Sequence, residues 1–163
     1  MDLRIEVNLA ALPRLTRAYP DAARRARMRR LTESLLLLER EIKKNTPVGA
    51  GPIHLRDTIF SRVQEGASAS EGIVGTPMQH GLSVEMGTKP HFPPVAPIRH
   101  WVERKLGLSG READSAAFAI ARAISKRGTK GAGMFEKAFE NNETAVIRLL
   151  EMIPADIIRE VNT

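Results

Sequence analysis

Between Ala22 and Asn45 the chain carries one apolar stripe: Met28, Leu31, Leu35, Leu38 and Ile42. Their steps of three and four residues place all five on one side of an α-helix. Such a helix is about 36 Å long and offers one stripe for burial. Asp21 is placed to cap its start. Lys43 and Lys44 fall in its last turn, where cations favour the negative end of the helix dipole. Pro47 forbids continuation, because the residue before a proline is pushed out of the helical region.

The remaining elements follow from shorter periodicities. Leu3, Ile5, Val7 and Leu9 alternate with polar residues, which predicts a half-buried strand over residues 2–9. Ala10 to Ala18 has room for one or two helical turns, closed by Pro20. Val48 to Pro52 reads as a loop. His54 to Glu65 reads as a strand with Thr58, Phe60 and Arg62 on one face and Ile59, Ser61 and Val63 on the other. Gly66 to Gly72 is small and polar, as a hairpin connection should be. Gly72 to Thr76 and His80 to Met86 read as two more strands separated by Pro77, and the four prolines of Lys89 to Pro97 demand an extended loop.

A helix then starts near Pro97, carries Ile98, Trp101, Val102 and Leu106, and ends at Gly107. Glu112 to Arg127 is an alanine-rich helix whose buried candidates are Phe118, Ile120, Ala121 and Ile124. Ser125 to Gly131 forms a basic, glycine-rich turn. Met134 to Ile158 is mostly helical through Phe135, Phe139, Val146, Leu149, Leu150 and Ile153, and Pro154 kinks or divides it. The expected fold is α+β over residues 1–163 as one domain. A small antiparallel β-sheet of about four strands packs against the long N-terminal helix and the C-terminal helices.

The absence of cysteine excludes disulfides and thiolate metal sites and suits a reducing compartment. Leu35 to Leu38 is the longest apolar run, far short of the ~20 residues of a membrane span. The first residues lack a signal peptide's layout. An intracellular, membrane-free product is expected. The net charge is +6. Residues 1–45 hold eleven Lys/Arg against six Asp/Glu, and residues 111–163 hold eight of each. The block Arg24, Arg25, Arg27, Arg29 and Arg30 therefore suggests contact with phosphate or an acidic protein surface. One Trp and one Tyr argue against a stacking platform for single-stranded nucleic acid.

Catalytic patterns are lacking. His54, His80, His91 and His100 accompany Asp57, Glu85 and Glu103 without metal-ligand spacing, so neither a metal nor a cofactor is expected. Gly66-Ala67-Ser68 is a turn rather than a nucleophile elbow. Arg127 to Gly133 contains glycines, a lysine and a hydroxyl but follows a helix where a phosphate-binding loop follows a strand. Helices joined by Gly107-Leu108-Ser109-Gly110 have the turn length of a helix-turn-helix. The second offers only Arg122, Lys126 and Arg127 as outward cations and no Asn or Gln to read adenine. A non-enzymatic role is expected.

Four signatures occur in a telling order: Thr46-Pro47-Val48 with Gly51, Leu55-Arg56-Asp57-Thr58-Ile59, Val84-Glu85-Met86-Gly87-Thr88, and Phe92-Pro93-Pro94. Across roughly residues 25–140 this set resembles the neck and tail-completion (head–tail joining) proteins of long-tailed bacteriophages. Pro52-Ile53-His54 lengthens the first turn, and Gln79-His80-Gly81-Leu82 stands where the family has an aromatic-Ala step.

The resemblance implies a structural virion protein at the head–tail junction, made in the host cytoplasm and assembled as a homo-oligomeric ring of six or twelve copies. Its implied neighbours are head-closure or portal-side proteins and tail-terminator or tail-tube proteins, with non-specific contact to packaged DNA. A ring contact is heterologous and needs two different faces. The expected interface loops are 87–97, with Gly87, Thr88, Lys89, Pro90, His91, Phe92 and Pro93, and 126–135, with Lys126, Arg127, Lys130 and Phe135. Arg56 and Glu85 are expected to form an ion pair between adjacent strands. The alternative is a small basic DNA-binding protein using the Arg24–Arg30 helix.

Overall fold

The computed structural model describes residues 1–10, 12–49, 53–66 and 69–162. Gly51 of the first signature, much of the expected Val48–Pro52 loop, and Ala67 and Ser68 of the expected hairpin connection lie outside the described residues. The fold is α+β, with a long N-terminal helix and a helical C-terminal half.

The alternating N-terminal segment forms β1 (Asp2–Asn8), followed by the short α1 (Pro13–Ala18) and the 26-residue α2 (Pro20–Asn45). Pro20, not Ala22, begins α2. Proline's fixed φ suits the first helical position, where its missing N–H costs nothing. Asp21 sits in the first turn and makes no side-chain cap, favouring the dipole instead. Leu31, Leu35, Leu38 and Ile42 are all buried, as their spacing predicts.

The sheet is smaller than expected. β2 (Phe60–Glu65) and β3 (Ala69–Gly75) join β1 in a three-stranded antiparallel sheet of order β1-β3-β2. Leu3, Ile5 and Val7 lie opposite Val74, Gly72 and Ser70, and Ser61 and Val63 lie opposite Val74 and Gly72. This face meets α2. A Cβ on Gly72 would sit 2.8 Å from methyls of both Leu31 and Leu35, so the absent side chain lets the helix cross close to the central strand. Glu39 of α2 ties down β2, accepting hydrogen bonds from the Ser61 hydroxyl and from Lys43 Nζ at 2.6 Å. Burial pushes the Glu39 carboxyl up, but these two donors outweigh it and hold the carboxyl below its ordinary value.

Two expected strands are corrected. The segment before β2 is a 3-10 turn at Leu55–Thr58, closed by the Thr58 hydroxyl donating to the Leu55 carbonyl at 2.8 Å. The segment predicted as the strand His80–Met86 contains a helix, α3 (Gly81–Met86). Its alternating Leu82 and Met86 are exposed, whereas Gly81 and Glu85, four apart, are buried. The inward face thus consists of a glycine and a carboxylate with the half-buried Val84 beside them, a set that no hydrophobic period reveals.

Beyond α3 come β4 (Gly87–Thr88), α4 (Val95–Leu106), α5 (Gly110–Arg127), β5 (Thr129–Lys130), α6 (Met134–Glu151) and α7 (Ile153–Val161). β4 and β5 make a separate two-stranded antiparallel ribbon, which replaces the fourth strand of the expected sheet. The main core is α2 with the sheet on one side and α6 and α7 on the other. A second, smaller core lies between α4 and α5, built from Val102, Ala113 and Ala117 with Val95, Ile98, Leu108, Ala116 and Ile120 against them. Phe118, expected inside, is 54 % exposed, because the buried side of α5 consists of Ala113, Ala117 and Ala121.

Candidate functional site

The signature Val84-Glu85-Met86-Gly87-Thr88 forms one half of a clasp whose other half is residues 128–136. α6 starts at Met134 behind the N-cap Gly133, which has no side chain to cap with and a φ of 60°. Its second and third helical N–H groups, on Phe135 and Glu136, instead donate to the two oxygens of Glu85, both at 3.0 Å. These are the donors that an N-cap side chain ordinarily satisfies. Here the capping carboxylate comes from fifty residues upstream, is only 5 % exposed, and lies at the positive end of the helix dipole.

Backbone pairing extends the clasp. Ala132 N–H donates to the Val84 carbonyl at 2.7 Å and Gly133 N–H to the Glu85 carbonyl at 3.1 Å. Gly87 pairs with Lys130 and Thr88 with Thr129, whose hydroxyls are 3.0 Å apart. The close approach requires glycine. Gly87 and Gly128 have φ of 78° and 70°, and a Cβ on either would collide with the opposing backbone. The two loops expected to be interfaces, 87–97 and 126–135, thus meet as one stem. Phe135 is a core residue at 3 % exposure, because the clasp turns it inward against the main core.

The stem carries a two-helix arm. Thr88 pairs with Thr129, Phe92 meets Phe118 at 6.2 Å between ring centroids, and Arg99 pairs with Asp114 at 2.7 Å. Each partner lies earlier in the chain as the sequence advances from β4 through α4, which describes a helical hairpin turning at Gly107, in the left-handed conformation at φ of 68°. The two helices pack chiefly on each other. Phe92, Trp101, Leu106 and Phe118 are exposed on this arm, as are Lys89, Pro90, His91, Lys126, Arg127 and Lys130. Pro93 is half-buried.

Charge divides at the stem. Of 25 Lys/Arg and 19 Asp/Glu in the chain, nine and three lie between residues 87 and 131, which leaves sixteen of each elsewhere. The whole net charge of +6 therefore resides on the arm and its stem, and the rest of the chain is neutral.

The arginine block of α2, by contrast, faces carboxylates of the same chain. Arg24 forks onto Glu65, with one contact at 2.8 Å, and Arg25 pairs with Glu160. Arg30 donates to Asp156 at 3.0 Å and to Glu33 at 2.9 Å, and Arg29 reaches Asp156 at 3.2 Å. Arg27 is buried and donates to the Gly66 carbonyl at 3.3 Å. Asp156, 1 % exposed in the first part of α7, is thus the buried ionic tie between α2 and α7, beside the surface pair of Arg25 with Glu160. Hydrogen bonding from Arg30, aided by the charge of Arg29, holds its carboxyl below the ordinary range although burial works the other way. Arg24 does the same to Glu65 at the surface.

Other expected pairings dissolve. Arg56 lies 3.5 Å from its neighbour Asp57, and Glu85 is engaged with α6, so the expected Arg56–Glu85 ion pair is absent. The reason is geometric: the two residues sit on a 3-10 turn and a helix, not on adjacent strands. The histidines are dispersed: His54 precedes the 3-10 turn, His80 precedes α3, His91 meets the Lys89 carbonyl at 2.9 Å, and His100 lies 3.7 Å from Glu103. Among the described residues no helix is long and apolar enough to cross a membrane. The role of Glu85 escaped sequence reasoning because its partners are backbone amides. The charge partition was countable, but only the β4–β5 pairing defines where to count.

Comparison with protein-family models, curated proteins and solved structures yields no match to this chain.

Proposed function

We propose that the protein is a non-enzymatic structural component of a phage virion, joining head to tail as one subunit of a ring of six or twelve copies. The observation that carries this reading is the arm. A neutral body bears a cationic, aromatic two-helix extension on a stem built by the Val84–Thr88 signature. Exposed Phe92, Trp101 and Phe118 amid cations have the composition of a protein contact surface, which is enriched in aromatics and arginine. The stem supports it further, since the signature residues hold the arm rather than line a reactive cleft. A ring uses two different faces on each subunit, and an arm and a body supply them. The head-closure or portal-side and tail-side neighbours follow from the resemblance alone. DNA binding through Arg24–Arg30 has less support, because four of those five guanidinium groups already meet carboxylates of the chain.

Quantitative mass spectrometry of phage particles from the culture that produces the protein tests this, scaled to the major capsid protein. About six or twelve copies per particle is the expected result for a closed ring. Absence from intact particles overturns it.

A further inference from the structure

The charges of the arm and of α6 are arranged on matching stripes. On α5 the residues Arg111, Ser115, Phe118, Arg122 and Lys126 are all exposed, and on α6 so are Glu136, Glu140, Glu143, Ile147 and Glu151. Both sets follow the same spacing of +4, +7, +11 and +15 from their first member. At 3.6 residues per turn each set stays within an arc of roughly 80° and runs about 22 Å. Lys137 and Arg148 flank the α6 stripe on one side, and Asp114, paired with Arg99, borders the α5 stripe.

Neither stripe is neutralised inside the chain. Arg111, Arg122 and Lys126 make no ion pair among the described residues, nor do Glu136, Glu140, Glu143 and Glu151. Like charges three or four apart on a helix destabilise it by about 0.2–0.5 kcal/mol per pair. Arg122 with Lys126, and Glu136, Glu140 and Glu143 in succession, carry that cost, offset only at the helix ends, where the dipole favours Lys126 and Glu136. α5 packs on α4, α6 packs its opposite side on α2, and the clasp holds the stem between them.

We propose that the α5 stripe of one copy docks antiparallel on the α6 stripe of a second copy. Arg111 then faces Glu151, Arg122 faces Glu140 and Lys126 faces Glu136, with Phe118 beside Ile147. The antiparallel arrangement matches three opposite charges, whereas the parallel one matches two. Ile147, 47 % exposed, adjoins a shallow apolar groove with Leu150, Ile153, Leu9 and Leu12, rimmed by Glu6 and Glu151. An aromatic ring framed by cations complements that groove in both apolar surface and charge. Arm and groove are different faces, so the contact is heterologous and propagates from copy to copy. The inference rests on the ring reading for its partner, but it concerns purified protein and has its own test.

The chain has no cysteine, so single-cysteine variants report contacts cleanly. R122C and E140C are mixed at high protein concentration with a short bismaleimide, and covalent species are followed over time. A mixed dimer is expected to form about tenfold faster than either homodimer and to slow as salt rises. R122E with K126E in one copy weakens association by about tenfold, and E136K with E140K in the other restores it. Circular dichroism checks that each variant is folded. Equal rates for mixed and like pairs overturn the proposal, as does cross-linking confined within single R122C/E140C chains. Oligomers in native mass spectrometry without the 122–140 cross-link overturn this contact and leave the ring to its particle assay. Binding of duplex DNA that R122E/K126E abolishes, with association between copies unchanged, also overturns it.

Discussion

Replacing Glu85 by alanine tests the clasp directly. The carboxylate accepts the Phe135 and Glu136 amides at 3.0 Å each and is the only side-chain cap seen at the start of α6. Truncation leaves the Phe135 N–H buried without its acceptor, a cost of about 1–3 kcal/mol. It also removes a negative charge from the positive end of an 18-residue helix, a further loss of about 1 kcal/mol in a buried setting. We expect a total near 3 kcal/mol. With a urea slope of about 2 kcal/mol/M for a chain of this size, the unfolding midpoint falls by about 1.5 M.

Glu85→Gln separates the two contributions. One oxygen still accepts, while the new NH2 group opposes the other amide, so about half the loss is expected. Site-resolved hydrogen exchange locates the effect, with protection lost first at Phe135 and Glu136. A Glu85→Ala protein within about 0.5 kcal/mol of the parent, with the Phe135 amide still protected, would refute the claim that this distant carboxylate caps α6.

Three further outcomes follow from the same geometry. Asp156→Asn should lower stability at neutral pH by about 3 kcal/mol, because Arg30 keeps its burial and loses its main counter-charge. Since the Asp156 carboxyl is depressed in the folded protein, its contribution is complete above the unfolded value of about 3.9 and disappears as pH falls through the folded value. Acid titration of the unfolding free energy should therefore show a shallower decline below about pH 4 in the variant. Gly128→Ala forces a side chain into the left-handed region and against the Thr88 backbone, so a loss of about 2 kcal/mol or more in thermal unfolding is expected. Leu38→Ala, at a fully buried position on α2, should cost about 2–5 kcal/mol in the same measurement.

Local chemistry determined a good part of this protein. The long α2, the strand Asp2–Asn8 and a break of the C-terminal helix, by kink or division, near Pro154 follow from periodicity and proline alone, and the structure makes it a division. So does the end of the fourth helix at Gly107, because a left-handed residue after a helix is a local requirement. Tertiary structure decided the rest. Leu82, Val84 and Met86 alternate like a strand, yet the segment is helical because Gly81 fits against Thr76 and Glu85 finds the amides of α6. The arginines of α2 look like an open basic patch in sequence, and Glu65, Asp156 and Glu160 close it from positions no local rule connects. The net charge was written in the composition, but its confinement to an arm exists only once Gly87-Thr88 and Thr129-Lys130 pair. Periodicity reports what neighbours along the chain share; hydrogen bonds and ion pairs across 41 to 135 residues report what folding brings together.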